Sequence, residues 1–464
     1  ALIKEKQFEN AMLVFEECKS QGVSIETLNT LEALLAAETQ IENSISTSPS
    51  QQQIGSLLEH YQDGRYDEAE KLAISITQGF PMHQFSWKVL GALLWRKGMK
   101  TEALNSNQKA VELVPQDAEA HHNLGSMLQE LGKLENAEAS LKQAIALKTD
   151  YAEAHYNLGN TLKRLGKVDE AEANFRQAIA IKYNFLDARY DLGVLLHELS
   201  RLEEAEASYR DVIELKSDYT EAHFNLGNTL HELGRLEEAE ASFKKVITLK
   251  SEYTEAHNNL GVLLQELGRL EEAEASFLKA VALKPDYADA YYNLGNNLQE
   301  LGKLKEAEAL FRQTIALKPD YAKAHYNLGN TLHDLGKLEE TEASFRTVIE
   351  LKPDYAEVHY NLGNILIKLG RLEETEASFR QAIALKSDYA EAYNNLGVTL
   401  KELGRLEEAE ASYRKALELE PFYDDAHSNL GGLLMKIGQH REGLNEKIIG
   451  GGIISFDIKN GFSI

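Results

Sequence analysis

Residues 254–287 read TEAHNNLGVLLQELGRLEEAEASFLKAVALKPDY, and within them lie two amphipathic helices and two breaks. Ala256, Leu260, Leu263, Leu264 and Leu267 share one face at helical spacing, and Gly268 follows the last of them, where a glycine commonly closes a helix. A second helix starts at once. Glu271 and Glu272 sit in its first turn, where carboxylates meet the positive end of the helix dipole, and Lys284 sits in its last turn. Ala273, Phe277, Ala280 and Val281 form its apolar stripe. Pro285 stops it, and Asp286 and Tyr287 turn the chain toward the next block. The stretch is a helical hairpin.

The block recurs every 34 residues: Asn157-Leu158-Gly159 returns as Asn225-Leu226-Gly227, Asn259-Leu260-Gly261, Asn293-Leu294-Gly295 and onward to Asn429-Leu430-Gly431. Six of the seven prolines (Pro81, Pro115, Pro285, Pro319, Pro353, Pro421) occupy one place in it. A period of this size means stacked supersecondary units, each packing on its neighbours, and not one closed globule. A coiled coil is excluded, because glycines break the heptads and the apolar register resets in every hairpin. Gly125, Gly159, Gly193 and Gly227 fall mid-helix, where glycine costs roughly 1 kcal/mol relative to alanine. Their recurrence predicts close approach of the partner helix, as does the small series Ala137, Ala171, Ala205, Ala239 and Ala273.

The chain has 464 residues, 43% hydrophobic, with a formal net charge of −25. That charge, with no basic run, argues against nucleic acid and anionic membranes as partners, since phosphates need clustered Lys and Arg. Cys18 is the single cysteine, so no internal disulfide forms, and a reducing, cytoplasmic setting is expected. There is no signal peptide and no apolar run long enough to span a bilayer. Ala1 stands first in place of Met, so the native N-terminus is expected to lie upstream. Neither a phosphate loop, a G-x-S-x-G elbow, a Rossmann fingerprint nor a metal-ligand cluster occurs. No enzyme activity, cofactor or metal is therefore expected of these residues.

Trp87, Leu90, Gly91, Leu94, Ala103, Ala110 and Pro115 together resemble the tetratricopeptide repeat pattern nearly in full. Later units keep it with His or Tyr for the Trp, as in His155, Leu158, Gly159, Leu162, Ala171, Phe175 and Ala178. Ten close units run from Ala118 to about Lys447, and two looser ones cover about Ser50 to Asp117. The resemblance implies an all-α fold, a right-handed α-solenoid superhelix of tandem helix-turn-helix units. Within the family the array is most similar to the superhelical region of O-GlcNAc transferases and to bacterial arrays joined to transferase domains.

Residues 1–40 read as a partial helical repeat, in which Leu2, Ala11, Phe15 and Cys18 fit the second half of a unit. The Ser-rich residues 41–49 read as a linker, and the array is placed at 50–447. Residues 448–464 are expected to be a tail or the start of a further domain. There Ile453–Ile458, Lys459-Asn460-Gly461 and Phe462–Ile464 pattern as strand, turn and strand.

The candidate site is the asparagine column. Asn123, Asn157, Asn225, Asn259, Asn293, Asn327, Asn361, Asn395 and Asn429 share one repeat position, which Asp191 fills in the remaining close unit. Asparagine is a mediocre helix former, so its persistence needs a reason. In the resembling transferase arrays, asparagines at the matching place line a concave groove and grip the backbone of an extended peptide. A carboxamide offers both a donor and an acceptor, so it pairs with a peptide unit whatever the side chain. The alternative is that each Asn ties neighbouring helices together. Beside the column stand Tyr156, Tyr190, Phe224, Tyr292, Tyr326 and Tyr360, as groove aromatics or as packing, and Asn160, Asn228, Asn296, Asn330 and Asn364 lie one turn on.

His121, His155, His223, His257, His325, His359 and His427 recur at one place, which for the family is a packing position. Units about 10 Å apart set them too far from one another to share a zinc. The pairs Glu203-Glu204, Glu237-Glu238, Glu271-Glu272 and Glu407-Glu408 read as dipole partners and solvated charge, since an active site is normally singular. Two further readings of function stay open. One is a substrate-recruiting arm for a transferase domain beyond Ile464, and the other is a scaffold that self-associates through its repeat ends.

Overall fold

The computed structural model of this protein describes residues 48–451, together with 30, 33, 455–457 and 461–463. Between Gln51 and Ile449 the described chain forms 24 α-helices that pair, in sequence order, into hairpins. Each hairpin has a first helix, A, and a second, B. In the block quoted above, A is Thr254–Glu266 and B is Leu270–Leu283. The neighbouring block repeats them as Ala288–Glu300 and Leu304–Leu317.

The turn between A and B is set by one glycine. Gly268 adopts φ +72°, a left-handed conformation that costs a side chain energy but costs glycine little. It lets Arg269 N–H reach back to the Leu264 carbonyl at 2.8 Å, which caps the end of helix A. Equivalent glycines from Gly64 to Gly438 share this geometry, and Ser200, at φ 58°, is the one non-glycine with positive φ among the described residues. After helix B, Tyr287 opens the next helix A, and the Lys284 ammonium lies 5.2 Å from its ring centroid. The lysine read as a dipole partner is thus held by a ring as well.

The mid-helix glycines do what their recurrence predicts. A Cβ on Gly261 would lie 2.6 Å from the Phe277 ring, and one on Gly227 would lie 2.7 Å from Phe243. Helix A therefore presents a notch, and the fully buried ring of helix B fills it, with Ala273 and Ala280 beside it at 0% exposure. The same ring-in-notch contact recurs at Gly159, Gly295, Gly329, Gly363 and Gly397 and builds an α-solenoid core within each unit.

The described chain divides into two compact units at Leu199/Ser200. The first contains four hairpins, from helix Gln51–Gln62 to helix Val168–Ile181, and then helix Leu186–Glu198. The second starts with helix Leu202–Leu215 and continues through seven hairpins to helix His440–Ile449. The 34-residue period runs through this point unbroken in length, so the division is not announced by spacing.

At the front of the array, Ser50 caps the first helix. Its Oγ accepts from Gln53 N–H at 3.2 Å while Gln53 Oε1 accepts from Ser50 N–H at 2.9 Å. The partial repeat expected at 1–40, Cys18 and most of the Ser-rich linker lie outside the described residues. In the tail, Ser455–Asp457 pairs antiparallel with Gly461–Ser463, in register Ser455↔Ser463. A strand pair thus falls inside the expected strand-turn-strand stretch, and the remaining residues of that stretch lie outside the described residues. No helix among the described residues is long and apolar enough to cross a membrane.

Candidate functional site

The asparagine column falls six residues into each helix A, directly before the buried Leu-Gly pair that packs on helix B. Every member from Asn123 to Asn429, Asp191 included, is half-buried. That placement follows from the helix: the next residue faces the core, so this one lies on its margin.

The carboxamide donors are spent between repeats. In the second unit, Asn259 Nδ2 donates to Asn228 Oδ1 at 2.9 Å, and Asn293 Nδ2 donates to Asn258 Oδ1 at 3.0 Å. Asn327 Nδ2 donates to Asn296 Oδ1 at 2.7 Å and to the Tyr292 hydroxyl at 3.2 Å. Asn361 donates to the Tyr326 hydroxyl at 3.2 Å, and Asn395 to the Tyr360 hydroxyl at 3.2 Å and Asn364 Oδ1 at 3.0 Å. Asn429 closes the series on Asn394 Oδ1 at 2.9 Å. In the first unit Asn157 Nδ2 reaches Ser126 Oγ and His122 Nε2, both at 2.9 Å. All these acceptors lie on helix A of the preceding repeat. Each neutral bond of this kind contributes about 0.5–1.5 kcal/mol net. What remains on each of these donating rungs is the Oδ1 acceptor, which in Asn259 and Asn395 also takes a bond from the preceding residue at 3.2 Å and keeps a second lone pair.

The aromatic residues beside the column are half-buried and stacked. The Tyr326 ring centroid is 6.0 Å from Phe345 of its own helix B and 5.6 Å from Tyr355, which opens the next repeat. Tyr156, Phe224, Tyr292 and Tyr360 make the same pair of contacts, and Tyr190 is half-buried like them. Their rings stack between repeats, and the hydroxyls of Tyr292, Tyr326 and Tyr360 accept from the asparagines of the following repeat. Burial and the bond to Glu357 push the Tyr326 hydroxyl pKa up to about 12, so it stays a neutral hydroxyl.

Asp191 reverses the polarity of this motif. It accepts from the Tyr156 hydroxyl at 2.8 Å and from Asn160 Nδ2 at 3.4 Å. Burial raises its pKa, and those two bonds oppose the rise. Among the remaining polar residues, Asn330, Asn361 and Asn364 line one cavity of about 440 Å³, together with His333 and Lys368.

The recurring histidines have a structural task. His257 Nε2 lies 3.0 Å from the Ser251 carbonyl, and His325 and His359 stand likewise 3.0 and 3.1 Å from Pro319 and Pro353. Trp87 Nε1 donates to the Pro81 carbonyl at 2.9 Å from the same place. In each of these a ring N–H meets the turn carbonyl six residues earlier, which fixes the proton of a neutral histidine on Nε2. No cluster of His, Cys, Asp or Glu suited to a metal occurs among the described residues.

The acidic pairs are more than dipole partners. Glu238 is paired with Arg235 at 2.7 Å and with Arg210 of the preceding helix B at 3.0 Å. Arg269 holds its own Glu272 at 2.6 Å and reaches back to Glu240 at 2.8 Å. Arg371 and Arg405 repeat the pattern with Glu342 and Glu376. An inter-repeat ribbon of alternating charge thus runs along the B helices. Its sequence signal is the Arg or Lys that precedes helix B in all hairpins but the two where Met99 and Gln439 stand there, which the reading of the glutamates alone passes over.

Family models described as tetratricopeptide repeat match residues 156–220, 252–320, 310–343 and 354–420, and one described as TPR repeat matches 125–166, 227–268 and 329–370. Among solved structures, YrrB, described as a TPR protein with an unusual peptide-binding site, is 29% identical over 40% of this chain and 95% of its own, with a TM-score of 0.37. A MamA structure is 22% identical over 37% of this chain and 93% of its own, with a TM-score of 0.36. MamA from Desulfovibrio magneticus RS-1 is 21% identical over 35% and 92%, with a TM-score of 0.34. No curated protein matches.

Proposed function

The chain belongs to the tetratricopeptide repeat proteins, its matched segments together spanning 125–220 and 227–420, and from that premise we propose that it binds extended peptide segments along the asparagine column. One observation carries the proposal. Each rung spends its NH₂ on the preceding repeat and keeps a carbonyl acceptor at one fixed place per repeat. Six such rungs run in order through the second unit, from Asn259 to Asn429.

A row of acceptors suits a backbone that supplies N–H donors. Repeats about 10 Å apart match three residues of an extended or polyproline-II chain, which rises ~3.1–3.4 Å per residue. The recognition is therefore of main chain more than of side chains, and affinity is distributed over many similar contacts. With a net charge of −25, neutral or basic segments are favoured over acidic ones.

The test uses an array of overlapping 15-residue peptides and fluorescence anisotropy on those that bind. Replacing Asn225, Asn259, Asn293, Asn327 and Asn361 together with alanine should weaken binding more than 100-fold, while any one alone changes it little. A triple Tyr292→Phe, Tyr326→Phe, Tyr360→Phe variant separates bracing from recognition. It removes hydroxyl partners of the asparagines but no Oδ1, so it should lower stability and leave binding nearly intact. A folded quintuple variant that binds like the parent would sink the proposal.

A further inference from the structure

Asn107 stands where each of the nine hairpins between Ala118 and Leu419 puts Leu, Phe or Tyr, as in Leu141, Phe175 and Phe277. At Gly125, Gly159, Gly227, Gly261, Gly295, Gly329, Gly363 and Gly397 that large side chain fills the notch of helix A. Asn107 faces the equivalent Gly91, and its Nδ2 already takes the place a Cβ there would need, but it lacks a ring's reach beyond the notch. It is 1% exposed. Its Nδ2 donates to the Ala103 carbonyl at 3.1 Å and lies 3.2 Å from Met127 Sδ. Its Oδ1 is buried and has no hydrogen-bond partner. A buried acceptor left unpaired is a rare and costly state in a folded protein.

Beside Asn107 lies a cavity of about 500 Å³, in the size range of small-ligand sites. Tyr61, Phe85, Trp95 and Met127 supply its apolar walls, and Asn123, the first rung of the column, also lines it. Lys88 is the single cation among the lining residues, and Asp117 at 3.0 Å and Glu119 at 2.5 Å already hold it. Glu119 and Glu130, both exposed, add negative charge at the cavity. An anionic side chain is thereby disfavoured. Aromatic walls and a thioether favour an aromatic guest, and the unpaired Oδ1 asks that guest for an N–H or O–H.

We infer that this cavity is an anchoring pocket for one aromatic side chain bearing a donor, a tryptophan or tyrosine of the bound peptide. The peptide part of the inference rests on the function proposed above, whereas the pocket itself does not. A guest indole N–H or phenol O–H pairs with Asn107 Oδ1 as the carboxamide turns that shielded oxygen toward the cavity, its ring lies among Tyr61, Phe85 and Trp95, and the peptide continues from Asn123 along the rungs of the first unit. The pocket would give the first unit the side-chain selectivity that near-identical repeats lack.

The experiment takes the full chain and free aromatic probes, so that it does not depend on the column. Binding of 5-fluoroindole is followed by fluorine NMR, against its N-methyl derivative and against 4-fluorotoluene, with a guanidinium and an alkylammonium salt as cationic competitors. Saturable binding of 5-fluoroindole is expected, at least ten-fold tighter than either probe without a donor, and not displaced by the cations. Asn107→Leu, which removes the acceptor at similar volume, should weaken it about ten-fold. Asn107→Phe, which installs the residue of the neighbouring hairpins, should abolish it with an unchanged or raised melting temperature. Absence of saturation, equal binding of the N-methyl probe, cation displacement, or full binding by Asn107→Phe would each overturn the pocket. The quintuple asparagine variant should keep indole binding. If it also keeps peptide binding, the column falls and the pocket stands; if the parent binds peptides but not indole, the reverse holds.

Discussion

Gly261→Ala and Gly55→Ala are the same chemical change in two helices of one chain, and they should act with opposite sign. At Gly261 the new methyl would stand 2.6 Å from Cδ1 and Cε1 of Phe277 and 2.8 Å from Cζ. Carbon atoms at rest approach to about 3.5 Å, so the ring must retreat by roughly 0.9 Å. Phe277 is at 0% exposure and has no free volume to enter. Overpacking of a close-packed core costs about 1–3 kcal/mol, and the gain in helix propensity returns about 1 kcal/mol. The net expectation is a loss of about 1 kcal/mol, with 2 as the upper end. At Gly55, inside helix Gln51–Gln62, a Cβ meets nothing within 4 Å. There the propensity term stands alone, a gain of about 0.5–1 kcal/mol. Urea unfolding by far-UV circular dichroism, analysed as a one-dimensional array of coupled repeats, reads both. A Phe277→Ala partner to Gly261→Ala adds a cycle, because the methyl then fills part of a cavity it otherwise contests, and a favourable coupling of about 0.5–3 kcal/mol is expected. If Gly261→Ala raises the midpoint as Gly55→Ala does, the mid-helix glycines are not there to admit the ring.

Ser200→Gly should raise stability by about 1 kcal/mol, because Ser200 holds φ 58° where the other hairpins place glycine; an unchanged urea midpoint would contradict this. His257→Phe should cost about 0.5–1 kcal/mol through the lost N–H to the Ser251 carbonyl, while His257→Trp should be tolerated, since Trp87 makes the same bond to Pro81; equal melting temperatures for the two variants would refute the donor requirement. Glu138, held by Lys142 and Lys167, and Glu240, held by Lys244 and Arg269, have pKa values below the ordinary 4.5. Carboxylates depressed in the fold add stability that is complete above 4.5 and lost as pH falls through the depressed values. The urea midpoint should therefore drop below pH 4.5, and 1 M salt, with a Debye length of ~3 Å, should shrink the drop. A salt-independent acid limb would point away from the ion-pair ribbon.

The hairpins were legible because every punctuation mark sits in the sequence: Gly268 and Pro285 delimit the helices, and the Leu and Ala stripes give their buried faces. The notch was legible too, since only close approach explains a glycine at Gly261. The candidate site was half legible. The identity of its residues could be read at one repeat position, but not which end of each carboxamide is spent, because that depends on partners 31 or 35 residues earlier in the preceding repeat. The aromatic residues illustrate the same limit. Tyr326 patterns beside Asn327, yet its ring is taken by Phe345 and Tyr355, which only the stacking of repeats brings to it. Asn107 had a signal that a reading along the chain misses and a reading down the repeat column finds.

Under the proposed function, Asp191 is a rung that braces and recognises together. At Asn327 the Tyr292 hydroxyl accepts, and at Asp191 the Tyr156 hydroxyl donates, so the tyrosine follows whichever group the rung presents. The brace thus survives exchange of amide for carboxylate, and what changes is charge. Burial raises the Asp191 pKa, and the sign follows from linkage. A carboxyl whose pKa is raised in the fold costs stability as pH climbs from its ordinary 3.8 through the folded value. Asp191→Asn removes that cost, so its stability advantage over the parent should be absent at pH 3, grow with pH and then level off. The same exchange removes the one negative rung among the asparagines. Lysine-scanned peptides should lose their preference for a positive residue opposite this repeat in the variant, while binding elsewhere on the column is unchanged. A variant that gains stability yet keeps the lysine preference would mean that the carboxylate faces its tyrosine only and takes no part in recognition.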